Sequence, residues 1–184
     1  MQTMNLHVKK IAADAAVIEK SLKGIAENII RHHPGLEDII LVGIRTRGVC
    51  LAERLRKLLG EAAGTEIPSG IMDITLYRDD LTSIGPQPVV NKTVFPFNIT
   101  GRKIILVDDV FYTGRTIRAA LDELMDFGRP GLVQLAVLVD RRRRELPIHP
   151  DYTGIILETL ENETVQVNIT EIDGSENISI VEKT

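Results

Sequence analysis

The sequence predicts an α/β fold, a central and mostly parallel sheet flanked by helices. Three apolar runs carry the prediction: Ile39–Ile44, Ile104–Val107 and Leu132–Val139 read as strands buried on both faces. The stretches between them place apolar residues at helical spacing, and alternation of this kind makes βαβ units. At 184 residues, 43% hydrophobic and 26% charged, the chain can build one domain, residues 1–184, with a substantial core.

The first helix follows Asp14, a suitable N-cap, and carries Ile18, Leu22, Ile25 and Ile29 on one stripe. It stops near His32-His33-Pro34-Gly35, with the histidines expected to face solvent. The strand Ile39–Ile44 delivers Arg45-Thr46-Arg47-Gly48, and a helix then turns Leu51, Leu55, Leu58 and Leu59 inward and ends around Gly60. Such a loop is either an anion-binding turn or a solvated basic one. Ser69–Leu76 is strand-like, and residues 81–100 are rich in Pro, Gly, Ser and Thr, a long connection of the kind that is either disordered or functional.

The run Ile104–Val107 ends in Asp108-Asp109, followed by a loop, Val110–Thr113, a turn at Gly114, and a helix opened by Arg115-Thr116. That helix carries Ala119, Ala120, Leu121, Leu124 and Met125 and ends at Gly128. Leu132–Val139 delivers Asp140-Arg141-Arg142-Arg143-Arg144. Gly154–Leu157, Thr164–Ile172 and Ile178–Val181 read as short strands of a small C-terminal hood.

The formal charge of −4 argues against non-specific nucleic-acid binding by the whole surface but not against a local basic patch. One cysteine, Cys50, precludes an intrachain disulfide and suits a reducing compartment. With no signal-like segment and no long apolar run, the expected location is cytoplasmic.

The candidate site lies where three strand ends converge: Arg45–Gly48, Asp108–Thr116 and Asp140–Arg144. The middle stretch is no Walker A loop, because Asp109 and Arg115 stand where Gly and Lys are required. One glycine instead of three excludes the dinucleotide fingerprint. Two carboxylates after a buried strand are costly unless something pairs with them, so a mere helix cap is the weaker account. An acidic pair with a hydroxyl- and glycine-bearing loop at a helix start suits a phosphorylated sugar.

The string Ile104-Ile-Leu-Val-Asp-Asp-Val-Phe-Tyr-Thr-Gly-Arg-Thr116 resembles the PRPP-binding motif of the type I phosphoribosyltransferases. Together with Leu41–Gly48 and Asp73–Asp80, it resembles the bacterial pyrimidine-operon attenuation regulators that double as uracil phosphoribosyltransferases. The resemblance implies the type I phosphoribosyltransferase fold, with a flexible active-site loop at about 79–100. It implies that Tyr112, Thr113, Gly114, Arg115 and Thr116 hold the 5′-phosphate of PRPP. Asp108 and Asp109 would hold the ribose hydroxyls and, through water, Mg²⁺. Arg45, Thr46, Arg47 and Gly48 would hold the pyrophosphate, assisted by Arg78, while Asp140 and Arg141 border uracil. Implied partners are PRPP, uracil, UMP and UTP, the pyr leader mRNA, and further copies of the chain in a homodimer or larger assembly.

Two departures touch the RNA side. The regulators usually read Asp-Arg-Gly-His-Arg where this chain has Asp140–Arg144, and a Thr and a His where it has Lys23 and Glu27. Lys23, Arg142, Arg143 and Arg144 are the candidate RNA contacts, the arginine run being otherwise a solvated loop. The alternative reading is a phosphoribosyltransferase without RNA regulation or with a different base.

Overall fold

The computed structural model describes residues 6–74 and 93–183, built on a five-stranded sheet with a smaller three-stranded one beside it. In chain order the elements are β1 (Leu6–Asp14), α1 (Ala15–His32), β2 (Ile39–Ile44), α2 (Arg47–Ala63), β3 (Ser69–Met72), β4 (Lys103–Phe111), α3 (Arg115–Phe127), β5 (Leu132–Asp140), β6 (Tyr152–Ile156), β7 (Glu163–Asn168), α4 (Thr170–Asp173) and β8 (Asn177–Lys183).

The main sheet runs β3-β2-β4-β5-β6 with every neighbouring pair parallel. All six residues of β2 are buried, as are Ile104–Val107 of β4 and Leu135–Val139 of β5. Helices cover both faces, so these strands need no polar side. Ile18, Leu22, Ile25 and Ile29 of α1 share one core cluster with Leu51, Leu55 and Leu59 of α2. Ile117, Ala120 and Leu124 of α3 pack in the other. The Asp14 carboxylate accepts the Val17 N–H at 3.0 Å, a cap worth about 1 kcal/mol. The chain passes from β2 to β3 on one side and from β4 to β5 on the other. The β2/β4 boundary is therefore the topological switch point, where ligands of such sheets bind.

The structure revises several boundaries. β4 runs through Asp108 and Asp109 to Phe111, so the expected loop Val110–Thr113 shrinks to Tyr112–Gly114. α2 continues past Gly60 to Ala63, where Gly64 takes the left-handed C-cap conformation. Met125 is 51% exposed, and Glu123 takes a buried place on α3 instead. His33 is half-buried and pairs with Gln134 at 2.7 Å, while His32 stands edge-on to Tyr152, so the pair does not simply face water.

The hood is also assembled differently. The segment expected as Gly154–Leu157 is β6, an edge strand of the main sheet, and Thr170–Asp173 is a helical turn. The third hood strand is β1, from the opposite end of the chain, giving the antiparallel order β1-β8-β7.

Candidate active site

β4 brings the acidic pair to the switch point, and the strand is irregular there. Ile105, Val107 and Val110 pack in one core cluster, whereas Ile104, Leu106 and Phe111 pack in the other. The two-residue alternation therefore slips across Asp108-Asp109. Asp108 is 6% exposed, and its Oδ1 accepts the Asp109 N–H at 2.9 Å. Asp109 is half-buried, and its Oδ1 accepts the Val110 N–H at 2.9 Å. Each carboxylate is thus fixed by the backbone that follows it.

Gly48 draws the arginine loop against this pair. A Cβ at Gly48 would lie 2.4 Å from the Val107 carbonyl oxygen and 3.2 Å from the Asp108 Cα, so only glycine allows the first turn of α2 this close. The Arg45-Thr46 peptide is cis, and the Arg45 N–H donates to the Met72 carbonyl at 2.9 Å. Among the described residues the buried Arg45 Nε has no acceptor, a cost that an incoming anion would relieve. Arg47 donates from Nη2 to Asp173 Oδ1 at 2.8 Å and from Nε to Oδ2 at 3.2 Å.

The helix that follows β4 begins at Gly114, whose φ of 92° lies in the left-handed region and favours glycine. Unlike in α1, the N-cap residues of α2 and α3, Thr46 and Gly114, make no side-chain cap bond among the described residues, so both helices present first-turn N–H groups at this sheet edge. Thr113 Oγ1 accepts the Arg115 N–H at 3.3 Å, and Arg115 pairs with Glu145 at 3.0 Å. Thr116 is half-buried in the first turn of α3. Tyr112 is 36% exposed and lies under the Arg141 guanidinium, 3.9 Å from ring centroid to Cζ.

At the end of β5, Asp140 Oδ1 accepts the Arg142 N–H at 2.7 Å. Arg141 is 4% exposed and donates to Thr159 Oγ1 at 3.0 Å and to the Glu163 carbonyl at 2.7 Å. Burial pulls its guanidinium below the usual range. Arg143 donates to the Thr159 carbonyl, and Arg144 meets His149. Arg142–Arg144 line an open depression of about 450 Å³ with Tyr112, Glu145 and Glu161. Lys23 lies elsewhere, paired with Glu19 on α1 beside an apolar groove between α1 and α2. The structure therefore does not bring Lys23 into one cavity with the arginine run.

Arg78 and residues 79–92 of the expected loop lie outside the described residues. The remainder, Thr93–Thr100, is packed: Val94 bridges Ile71, Phe95 meets Phe127, and Ile99 is fully buried. Among the described residues no group of three His, Cys, Asp or Glu could hold a metal ion, and no helix is long and apolar enough to cross a membrane. The residues that support the site and that the sequence did not reveal are Thr159, Glu163 and Asp173. They lie 18 to 126 positions from the arginines they meet, beyond any local pattern.

A parallel sheet with an acidic strand end, an uncapped loop-helix junction and an arginine loop at its switch point defines a phosphoribosyltransferase. Residues 9–171 match the family described as Phosphoribosyl transferase domain, and the chain belongs to that family. It is 54% identical over 165 residues to the bifunctional protein PyrR of Pelotomaculum thermopropionicum, covering 90% of this chain and 91% of that one. With PyrR of Thermus aquaticus the identity is 51% over 170 residues, covering 92% and 94%. The fold is shared with a hypoxanthine phosphoribosyl transferase of Trypanosoma cruzi, with a TM-score of 0.73 at 18% identity over 99% of this chain and 94% of that one.

Proposed function

We propose that the protein transfers the phosphoribosyl group of PRPP to uracil, giving UMP and pyrophosphate. It also binds pyr leader mRNA in a uridine-nucleotide-dependent manner to attenuate transcription. The observation that carries the transferase reading is the approach of Gly48 to Val107 and Asp108. That approach supports assigning the arginine loop to a pyrophosphate and the adjacent carboxylates to a ribose. The identity to proteins named bifunctional protein PyrR supports the pairing of two activities.

In this reading Tyr112–Thr116 hold the 5′-phosphate through the first-turn N–H groups and the Thr113 and Thr116 hydroxyls. Asp108 and Asp109 accept hydrogen bonds from the ribose hydroxyls. Arg45, Thr46 and Arg47 hold the pyrophosphate, with Arg78 assisting. As the bond to pyrophosphate lengthens, positive charge grows on the ribose, and fixed carboxylates nearby stabilise it. Asp140 and Arg141 border the uracil, Arg141 being held by Thr159 and Glu163.

Mg²⁺ bound with a phosphorylated substrate takes only one or two protein carboxylates and keeps several waters. The adjacent Asp108 and Asp109 fit that requirement and would hold it through water. When bound, it neutralises charge on the leaving pyrophosphate. Arg142–Arg144 supply phosphate contacts for RNA, with Lys23 a separate contact. The working protein is a homodimer or larger assembly in the cytoplasm.

A pyrophosphate-release assay with PRPP and each nucleobase tests the transferase; release with uracil is expected, and none would sink the assignment. Titration of pyr leader RNA at fixed salt, with and without UMP, tests the regulator. Binding that ignores UMP, or no binding, would leave only the enzyme.

A further inference from the structure

Arg47 already holds an anion where the proposed function puts one. The segment Thr170–Glu176, which joins β7 to β8 within the hood, leans on α2 through three ion pairs. Asp173 takes Arg47 by its Nε–Nη2 edge, while Glu171 and Glu176 take Arg54 at 2.7 Å and 2.5 Å. The Arg47 and Asp173 side chains are 31% and 20% exposed, so water and solutes reach the pair. Asp173 is held in place without Arg47, because its Oδ2 also accepts the Ile169 N–H at 2.8 Å.

We propose that Asp173 is an internal competitor for the pyrophosphate group, holding Arg47 in the ligand-free protein and yielding it when PRPP or pyrophosphate arrives. This rests on the assignment of Arg45–Gly48 to pyrophosphate. A guanidinium edge matches carboxylate and phosphate by the same two parallel N–H bonds, so one edge serves one partner at a time. Pyrophosphate carries more charge than a carboxylate and gains Arg45 in addition, so it wins the exchange. Arg54 keeps the hood docked on α2 while Arg47 changes partner. The Arg47 contact holds the Asp173 carboxyl below its usual range, so the competitor is ionised at neutral pH. Asp173 thereby weakens binding of both the substrate's leaving group and the released product. It is a positioning residue that acts through Arg47.

Calorimetric titration of inorganic pyrophosphate with Mg²⁺ into the wild-type protein and Asp173→Asn tests this. The Asn side-chain oxygen still accepts the Ile169 N–H, so the turn is retained while the charge is removed. Pyrophosphate should bind Asp173→Asn about two- to fivefold more tightly, the scale of a solvent-accessible ion pair. The advantage should shrink as salt screens the pair. KM for PRPP should fall by a similar factor while kcat does not rise. Equal or weaker pyrophosphate binding by the variant overturns the proposal. A wild-type protein that binds no pyrophosphate overturns instead the assignment of the loop itself. If Asp173→Asn does not fold, Asp173→Ser keeps a hydroxyl acceptor for Ile169 and is read by the same criteria.

Discussion

The loop after β2 and the loop after β5 both carry arginines to the same edge of the sheet, Arg45 and Arg47 in one and Arg141–Arg144 in the other. In the first, Arg45 keeps a buried Nε without an acceptor among the described residues, and Arg47 holds a carboxylate within reach of solvent. In the second, Arg141 is committed to a hydroxyl, a carbonyl and an aromatic face, none of them exchangeable. Charge density in the sequence is higher in the second loop, but ligand-ready charge lies in the first. Burial and the kind of acceptor decide how readily each arginine can exchange its partner for a ligand.

The largest effect expected from this contrast is on chemistry at the β2/β4 boundary. Asp109→Asn keeps an oxygen for the Val110 N–H and removes only the charge. PRPP-dependent turnover should fall about 10²- to 10³-fold, the scale of losing one preorganised electrostatic group. The thermal midpoint should move by no more than about 2 °C. Wild-type turnover in this variant would move the chemistry away from the acidic pair.

Arg141 should show the opposite pattern. Arg141→Met leaves the Thr159 hydroxyl and the Glu163 carbonyl without their donor in a buried place, costing about 2–4 kcal/mol in urea unfolding. Arg143→Ala, which loses one partly exposed bond to the Thr159 carbonyl, should cost under about 1 kcal/mol. If the two variants lose equal stability, the distinction between neighbouring arginines fails.

The same contrast explains how much the sequence disclosed. Buried parallel strands write themselves as unbroken apolar runs, so β2, β4 and β5 were legible, as was the acidic pair that ends the middle one. β1 was not, because Leu6–Asp14 has no such run and gains its partner only when β8 arrives from the far end of the chain. β6 was read as hood for a related reason. Its short segment looks alike in either sheet, and its pairing with β5 is settled by three-dimensional register. Of the site, the strand ends were legible, although Val110 and Phe111 belong to β4 and Arg47 and Gly48 to α2. The fate of each arginine was not, since Thr159, Glu163 and Asp173 reach them only through the fold.

Acid should separate the carboxylate pairs of α2 from the contacts of Arg141 next. Glu171 and Glu176 are held below the ordinary Glu value of 4.5 by Arg54, and Asp173 below the ordinary Asp value of 3.8 by Arg47. A depressed carboxylate stabilises the fold above its unfolded value, and that contribution is lost as pH falls through the folded value. Arg54→Gln should therefore cost about 1 kcal/mol at pH 7, allowing for solvent screening, and less near pH 3. The cost of Arg141→Met should not follow this trend, because its hydroxyl and carbonyl partners do not titrate. An Arg54→Gln cost that is the same at both pH values would contradict a stabilising role for the ionised Glu171 and Glu176.

The smallest effect concerns Arg142, and it tests whether the second loop contributes anything to a ligand. Arg142 has a φ of 56°, left-handed backbone that disfavours a side chain, at the position where the resembled regulators carry Gly. Its side chain is largely exposed and lies 3.8 Å from Asp140, a weak pairing that does not compensate. Arg142→Gly should therefore cost no stability and gain up to about 1 kcal/mol in the folded state, less what the unfolded chain recovers in freedom. If the arginine is retained for phosphate, the same variant should bind leader RNA more weakly, with the salt slope of log K reduced by about 1. A gain in stability with unchanged RNA affinity would remove Arg142 from the RNA contacts and leave that role to Arg143 and Arg144.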